Sequence, residues 1–166
     1  MLRNVMKWNG VSTYEGRETK MLSGEFHHSI DAKNRVSVPA KLREELGSEF
    51  MVVRSLRGDC LRFFSIPAWK EYIEPLKKLP RAVSEKTFWF LYHDAAQVSP
   101  DSLGRVLLTK GLLDFAKIEP DEAGNRNVVI VGCGDFGEIW SEALYNKHVD
   151  EMDIEEIRRS LEESGL

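Results

Sequence analysis

The stretch Asp31-Ala32-Lys33-Asn34-Arg35-Val36-Ser37-Val38-Pro39 predicts the fold of this chain. An aspartate opens a turn by accepting backbone N–H groups, and an arginine stands where the turn ends. A short strand of alternating apolar residues follows and stops at proline. The same order returns 70 positions later as Asp101-Ser102-Leu103-Gly104-Arg105-Val106-Leu107-Leu108-Thr109. Because internal similarity fixes an architecture, we predict two copies of one small module.

The similarity between the two copies continues beyond these turns. Each copy goes on with a helix, an apolar strand, a Gly/Asp turn, a second strand and a serine that can cap a further helix. The pairs are helices 40–46 and 111–118, strands 50–53 and 128–131, strands 60–64 and 136–140, and caps Ser65 and Ser141. The offset between copies grows from 70 to 76, and the extra residues fall in the polar segment 119–127. We therefore predict an α+β fold in which residues 31–65 and 101–140 are related by a pseudo-two-fold axis.

These motifs resemble those of the MraZ family. Met21-Leu22-Ser23-Gly24-Glu25-Phe26 followed by residues 31–43 is similar to the start of that family, and paired Asp-x-x-x-Arg motifs at this separation are specific to it. The resemblance covers about residues 21–150. It implies two tandem AbrB-like, swapped-hairpin modules that form a barrel-like core with flanking helices. One departure is Asn34, because the family usually has glycine there, as at Gly104; asparagine tolerates the left-handed conformation better than most residues.

The resemblance also implies a function. Members of the family are sequence-specific DNA-binding transcriptional regulators that act at the promoter of the division and cell-wall gene cluster. They form ring-shaped homo-oligomers and sit on the nucleoid in the bacterial cytoplasm. The expected partners are accordingly promoter DNA with short repeats and further copies of this chain. Joining several weak binding modules raises their effective concentration on such repeats, which is a physical use for a ring.

Four segments are predicted along the chain. They are an N-terminal extension expected to be disordered (1–20), a first module (21–80), a second module (81–149) and an acidic C-terminal helix (150–166). The extension matches nothing in the repeat and has no apolar run of signal-peptide length, with Met21 as the family-like start. A basic arm on DNA is an alternative for it. No stretch approaches the ~20 apolar residues of a membrane span, so no membrane partner is expected.

The charge of the chain is distributed unevenly. Residues 150–166 carry seven acidic and two basic side chains, a net charge of −5, whereas the whole chain carries −4. Residues 1–149 therefore carry +1, which is compatible with a DNA-binding body. Ile154, Ile157 and Leu161 recur at helical spacing in this tail, which predicts an amphipathic helix that docks on its own or a neighbouring subunit.

The candidate DNA-binding residues are Arg35, Lys33 and Arg105. Arginine presents a planar fork that binds guanine O6 and N7 or a phosphate, and lysine adds a positive point charge. The second turn has Ser102 and Leu103 inside it, so the first turn is expected to dominate DNA contact. The residues expected to form the turns are Asp31, Asn34, Asp101 and Gly104.

Residues 67–96, between the two copies, read as two helices separated by Pro80. Large aromatic side chains recur along them at helical spacing. This stripe is typical of a core, and its excess of aromatic residues also suits a subunit interface.

The sequence offers little for other functions. Cys60 and Cys133 lack metal-ligand spacing and are interpreted as buried or incidental thiols, and His27-His28 would point to opposite faces of a strand. We therefore expect no metal, no cofactor and no small-molecule substrate. No nucleophile, phosphate-binding or metalloprotease motif is present, so an enzyme is not predicted. The alternative function is a ring-forming protein-interaction module without DNA readout.

Overall fold

A computed structural model describes residues 11–14 and 17–166 of the chain. Within them, the strands are β1 (Val11–Tyr14), β2 (Arg17–Lys20), β3 (Leu22–Ile30), β4 (Arg35–Ser37), β5 (Phe50–Arg54), β6 (Leu61–Ser65), β7 (Ala96–Val98), β8 (Arg105–Leu107), β9 (Arg126–Gly134) and β10 (Gly137–Ser141). The helices are α1 (Ala40–Leu46), α2 (Ile66–Lys77), α3 (Arg81–Tyr92), α4 (Lys110–Phe115), α5 (Glu142–Asp150) and α6 (Ile154–Glu163).

The main sheet has six strands in the order β3-β9-β10-β6-β5-β7, all antiparallel. The first strand of each repeat pairs with a strand of the other repeat, β3 with β9 and β7 with β5. Strands β6 and β10 meet in the middle. If each strand is replaced by its counterpart in the other repeat, the same order is obtained when it is read from the opposite edge of the sheet. The predicted combination of helices and strands is confirmed, and the sheet is consistent with the two predicted repeats.

A second, two-stranded sheet joins the two motif regions and is called the ladder below. Strand β4 runs antiparallel to β8, with Val36 opposite Val106 at its centre. Both valines are buried. The ladder is extended symmetrically by two backbone bonds, from Val38 N to the Gly104 carbonyl at 2.9 Å and from Leu108 N to the Asn34 carbonyl at 2.8 Å. Each turn is therefore tied to the strand that follows the other turn.

The main hydrophobic core draws on both repeats. The ladder valines pack in one cluster with equivalent residues of the two copies, among them Leu42 and Leu112 from helices α1 and α4. Because this cluster contains residues of both repeats, the two repeats share one core. A second cluster lies between the sheet and helices α2 and α3, around Phe64 and Trp69.

Two helices begin at the serines that the sequence marks as caps, whereas α4 spans Lys110–Phe115 rather than the predicted 111–118. Ser65 Oγ accepts the backbone N–H of Ala68 at 3.3 Å, and Ser141 Oγ accepts that of Leu144 at 3.3 Å. These bonds confirm both predicted serine caps. Pro80 separates α2 from α3 and is the N-cap of α3. The aromatic stripe contributes Trp69 to the second cluster but leaves Trp89 67% exposed.

Residues outside the two repeats require one adjustment to the sequence-based picture. Strands β1 and β2 pair as a hairpin, from Val11 opposite Lys20 to Tyr14 opposite Arg17. Backbone pairing thus orders part of the segment for which we expected disorder; the rest of that segment lies outside the described residues.

At the C-terminal end, every residue of α6 is exposed, so α6 does not dock on its own subunit. None of the helices described here is long and apolar enough to cross a membrane.

The two cysteines, distant in sequence, converge on one carboxylate. Cys60 Sγ lies 3.5 Å and Cys133 Sγ 3.8 Å from the carboxylate oxygens of Glu138. Burial, reinforced by the negative charge of Glu138, raises the pKa of Cys60 to about 12 and that of Cys133 to about 11. Both thiols therefore stay protonated near neutral pH and are poor nucleophiles. Among the residues that the structure describes, no group of three or more His, Cys, Asp or Glu side chains could hold a metal ion.

Candidate nucleic-acid interface

The first turn (residues 31–35) is held together by the side chain of Asp31. Asp31 Oδ1 accepts the backbone N–H groups of Lys33 and Arg35, each at 2.9 Å. Asp31 Oδ2 accepts Nε–H of Arg35 at 2.8 Å. The backbone closes around these contacts, with Asn34 N donating to the Asp31 carbonyl at 3.0 Å and Asn34 at φ 60°. The sequence meets this left-handed requirement with asparagine, which carries a smaller penalty there than most residues.

The second turn (residues 101–105) uses the same set of hydrogen bonds. Asp101 Oδ1 accepts the N–H groups of Leu103 and Arg105 at 2.9 Å, and Asp101 Oδ2 accepts Arg105 Nε–H at 2.9 Å. Gly104 takes the place of Asn34, with φ 76°. The two motifs therefore fold alike, because the aspartate and the left-handed residue stand at the same positions in both.

The charge of each turn follows from these bonds. The backbone N–H of Arg35 is the main cause that lowers the pKa of Asp31, and that of Arg105 does the same for Asp101. Both carboxylates are thus ionised near neutral pH and offset the charge of the arginine that they hold. Lys33 leaves the first turn with a net positive charge, whereas the second turn is neutral. Long-range attraction to phosphate should accordingly be stronger at the first turn.

The ladder places Arg35 and Arg105 on the same face. Because side chains alternate along a strand, residues on either side of buried Val36 and Val106 lie on the opposite, outer face. Arg35 stands opposite Leu107, and Arg105 opposite Ser37. The arginines are therefore diagonal neighbours, with Cα atoms roughly 7–8 Å apart for such pairs. Leu103 and Leu107 share this region and are among the exposed large apolar residues.

Each arginine keeps part of its guanidinium available. The side chains of Arg35 and Arg105 are 27% and 28% exposed, and their Nε atoms are bonded to the turn aspartates. Within the part of the chain that the structure describes, no hydrogen bond joins their terminal nitrogens to another residue. A guanidinium held at Nε with its two terminal nitrogens free can present a fork to a planar acceptor pair.

The strands that lead into the two turns reach opposite ends of the main sheet. Ile30, next to the first turn, pairs with Arg126 at the start of β9, and Val98, shortly before the second turn, pairs with Phe50 at the start of β5. The β5–β6 connection consequently lies at the end where β3 leads into the first turn, and the β9–β10 connection lies at the end where β7 leads toward the second turn. Exposed Lys33 is inside the first turn, on the ladder side of the molecule.

Sequence reasoning did not identify two further arginines that contact the turns. Arg126 donates to Asn34 Oδ1 at 2.7 Å and also to the Asp31 carbonyl. Arg43 lies against Gly104, where an added Cβ would come within 2.7 Å of its guanidinium carbon. Neither arginine belongs to an Asp-x-x-x-Arg motif, so no local pattern marked it. The one available signal was Asp121-Glu122-Ala123-Gly124-Asn125, which repeats the turn pattern without its arginine.

Together, the shared sheet and the ladder define a protein of two tandem repeats that carries a pair of matched, arginine-bearing turns. The family model described as "MraZ protein, putative antitoxin-like" matches residues 21–88 and 91–164. The chain belongs to the MraZ family.

Relatives in several bacteria cover most of the chain. The protein of Clostridium tetani is 33% identical over 149 residues, which are 88% of this chain and all of the relative. That of Caldanaerobacter subterraneus subsp. tengcongensis is 36% identical over 150 residues, again 88% of this chain and all of the relative. That of Carboxydothermus hydrogenoformans is 39% identical over 130 residues, 77% of this chain and 86% of the relative. All three are named transcriptional regulator MraZ.

Proposed function

We propose that this chain is a sequence-specific, DNA-binding transcriptional regulator that contacts DNA through the outer face of the ladder. Arg35 and Lys33 make the main contacts, and Arg105 makes the equivalent, weaker one. The observation that carries the proposal is the pair of matched turns whose arginines share one face of a rigid two-stranded ladder. A two-stranded β-ribbon fits the DNA major groove, and arginine binds guanine O6 and N7 there. The names of the relatives support the same function.

The proposed target is the promoter of the division and cell-wall gene cluster, and DNA binding would hold the protein on the bacterial nucleoid. The proposal also takes the two repeats to be AbrB-like, swapped-hairpin modules around a barrel-like core. The exchange of β3 and β7 between repeats supports this description. In this proposal, Asp31 and Asp101 hold the turns, and Asn34 and Gly104 adopt the left-handed conformation that the turns require.

Fluorescence anisotropy with promoter DNA tests the proposal. The upstream DNA of the chain's own gene cluster and a scrambled duplex of equal length are titrated at two salt concentrations. We expect tighter binding to the promoter and a steep loss of affinity with salt, because Lys33 and the arginines displace counterions. Equal affinity for the two duplexes would reject sequence-specific binding. Absence of binding by a well-assembled protein would instead favour the protein-interaction module.

Lys33→Ala separates charge from sequence readout in the same assay. We expect the variant to weaken binding to both duplexes similarly and to reduce the salt slope by about one for each phosphate that the lysine neutralises. Lys70→Ala, an exposed lysine of α2, is the matched control and should leave the slope unchanged. A selective loss of promoter binding in Lys33→Ala would show that lysine reads a base rather than a phosphate.

A homo-oligomer, formed as a ring, is part of the proposal. It is supported by the exposed apolar face of α6, where Ile154, Ile157 and Leu161 are 55%, 42% and 45% exposed, together with exposed Trp89 on α3. Contiguous apolar surface of this kind is typical of interaction sites.

Light scattering tests this assembly. We expect a mass that is a multiple of the 19.0 kDa chain. Replacing Ile157 and Leu161 by glutamate should reduce the mass, because the apolar face can no longer be buried against a second copy. Arg159→Glu, on the opposite face of α6, is the control and should leave the mass unchanged. A 19.0 kDa species for the unmodified chain at all concentrations would contradict the ring.

A further inference from the structure

We propose that each repeat supplies an arginine that positions the turn of the other repeat, Arg126 for the first turn and Arg43 for the second. Both act through the residue that precedes the motif arginine. They are positioning residues, and their consequence for DNA recognition rests on the function proposed above.

Arg126 is placed to hold the first turn from the second repeat. It begins β9, opposite Ile30 at the end of β3. One terminal nitrogen donates to Asn34 Oδ1 at 2.7 Å, and the other donates to the carbonyl of Asp31. These two acceptors belong to the left-handed residue of the turn and to the residue that opens it. Arg126 therefore ties Asp31 and Asn34 of the turn to β9.

The loop before Arg126 is held by its own hydrogen bonds. Asp121 Oδ1 accepts the N–H groups of Ala123 at 3.0 Å and Asn125 at 2.8 Å, which makes residues 121–125 a third turn of the same kind. Asn127 anchors it to β3, because its Oδ1 accepts Ser29 Oγ–H at 2.8 Å. The third turn lies in the segment where the second repeat is longer than the first. Its local hydrogen bonds fix the point from which the Arg126 side chain extends.

Arg43 holds the second turn from the first repeat in a different way. Its Nε donates to the Val38 carbonyl at 2.9 Å, and Val38 N donates to the Gly104 carbonyl at 2.9 Å. The guanidinium covers Gly104 so closely that a Cβ there would lie 2.7 Å from both Nε and Cζ. Any side chain at position 104 would displace Arg43.

The two contacts explain why the turns differ at one position. Asn34 provides a side-chain acceptor that Arg126 uses, and glycine would remove it. Gly104 leaves the space that Arg43 occupies, and asparagine would fill it. The difference between Asn34 and Gly104 therefore reflects two kinds of brace, since both residues adopt the same left-handed conformation.

Hydrogen–deuterium exchange of the full chain, without DNA, tests the positioning directly. We expect Arg126→Ala to raise exchange about tenfold in a peptide covering residues 31–36, as for loss of a charged hydrogen bond, and to leave residues 101–106 unchanged. Arg43→Ala should show the reverse pattern and is the matched control. Asn34→Gly keeps the backbone conformation accessible and should reproduce the effect of Arg126→Ala. Unchanged exchange at 31–36 in both variants would overturn the proposal.

Binding measurements then test what the brace does. We expect Arg126→Ala to lower the preference for promoter over scrambled DNA about tenfold, with an unchanged salt slope. The double variant with Asn34→Gly should be no worse than Arg126→Ala alone, because both remove the same interaction. A salt slope reduced by about one would instead identify Arg126 as a phosphate-binding residue and overturn its positioning role. If the unmodified chain shows no preference between the duplexes, the proposed function fails, while the exchange experiment still decides the brace.

Discussion

Replacing Arg35 by alanine is expected to abolish most of the sequence preference while the fold is retained. The guanidinium is partly exposed. Removing the side chain breaks its Nε bond to Asp31 but keeps the bond from the Arg35 backbone N–H to Asp31 Oδ1. Loss of a bidentate hydrogen bond to a base costs about 1–3 kcal/mol. This corresponds to a roughly fivefold to 150-fold weaker interaction at each engaged subunit. In a ring the losses multiply, so a single substitution can remove detectable promoter binding.

The measurement compares promoter and scrambled DNA for Arg35→Ala, Arg105→Ala and a control. Arg57→Ala removes the same charge from the exposed β5–β6 connection, which belongs to neither turn nor the ladder. We expect the largest loss for Arg35, a smaller loss for Arg105 and none for Arg57. Circular dichroism and light scattering establish that each variant is folded and assembled. A folded Arg35→Ala protein with unmodified promoter affinity would show that this arginine is structural.

The turns could be predicted from sequence because everything that forms them is local. An aspartate, a left-handed residue and an arginine within five positions are sufficient, and the same set occurs twice. The serine caps were predictable for the same reason. The alternation of apolar residues also predicted a strand after the turn, although it did not show that β4 and β8 pair with each other.

The contacts between the repeats could not be predicted in this way. Arg126 and Asn34 are 92 positions apart, and nothing in the neighbourhood of either indicates the other. The convergence of Cys60 and Cys133 on Glu138 likewise depends on β6 and β10 meeting in the sheet. A local pattern specifies which bonds a segment can make with itself, whereas pairing between distant segments depends on the packing of the whole chain. For this reason the proposed positioning residues, Arg126 and Arg43, could not be found from local sequence patterns.

The exchange of strands between repeats leads to the prediction with the largest expected effect on stability. Gly132 in β9 stands opposite Gly24 in β3. A Cβ at position 132 would lie 2.3 Å from Ser23 N and 2.5 Å from the carbonyl carbon of Leu22. These are backbone atoms of the neighbouring strand, so no change of side-chain rotamer can relieve the clash. Gly132→Ala must therefore move β3 away from β9 at this point.

We expect Gly132→Ala to destabilise the protein by more than the about 1–3 kcal/mol that is usual for overpacking. At about 2–4 °C for each kcal/mol in a chain of this size, the midpoint of thermal unfolding should fall by several degrees or more. Gly58→Ala is the matched control, because its nearest contact would be a Trp140 side-chain atom at 3.5 Å, an ordinary van der Waals distance. An unchanged unfolding midpoint for Gly132→Ala would contradict the tight approach of the two strands.

The same substitution also tests how the sheet supports the ladder. Strand β3 ends at Ile30, directly before the first turn, and its partner there is Arg126. Separation of β3 from β9 at Gly132 should spread toward that end only if the strands move as a unit. In that case, hydrogen exchange in Gly132→Ala rises at residues 31–36 as well as along β3. If exchange rises only near Gly132, the Arg126 contacts hold the first turn independently of the rest of the strand pair.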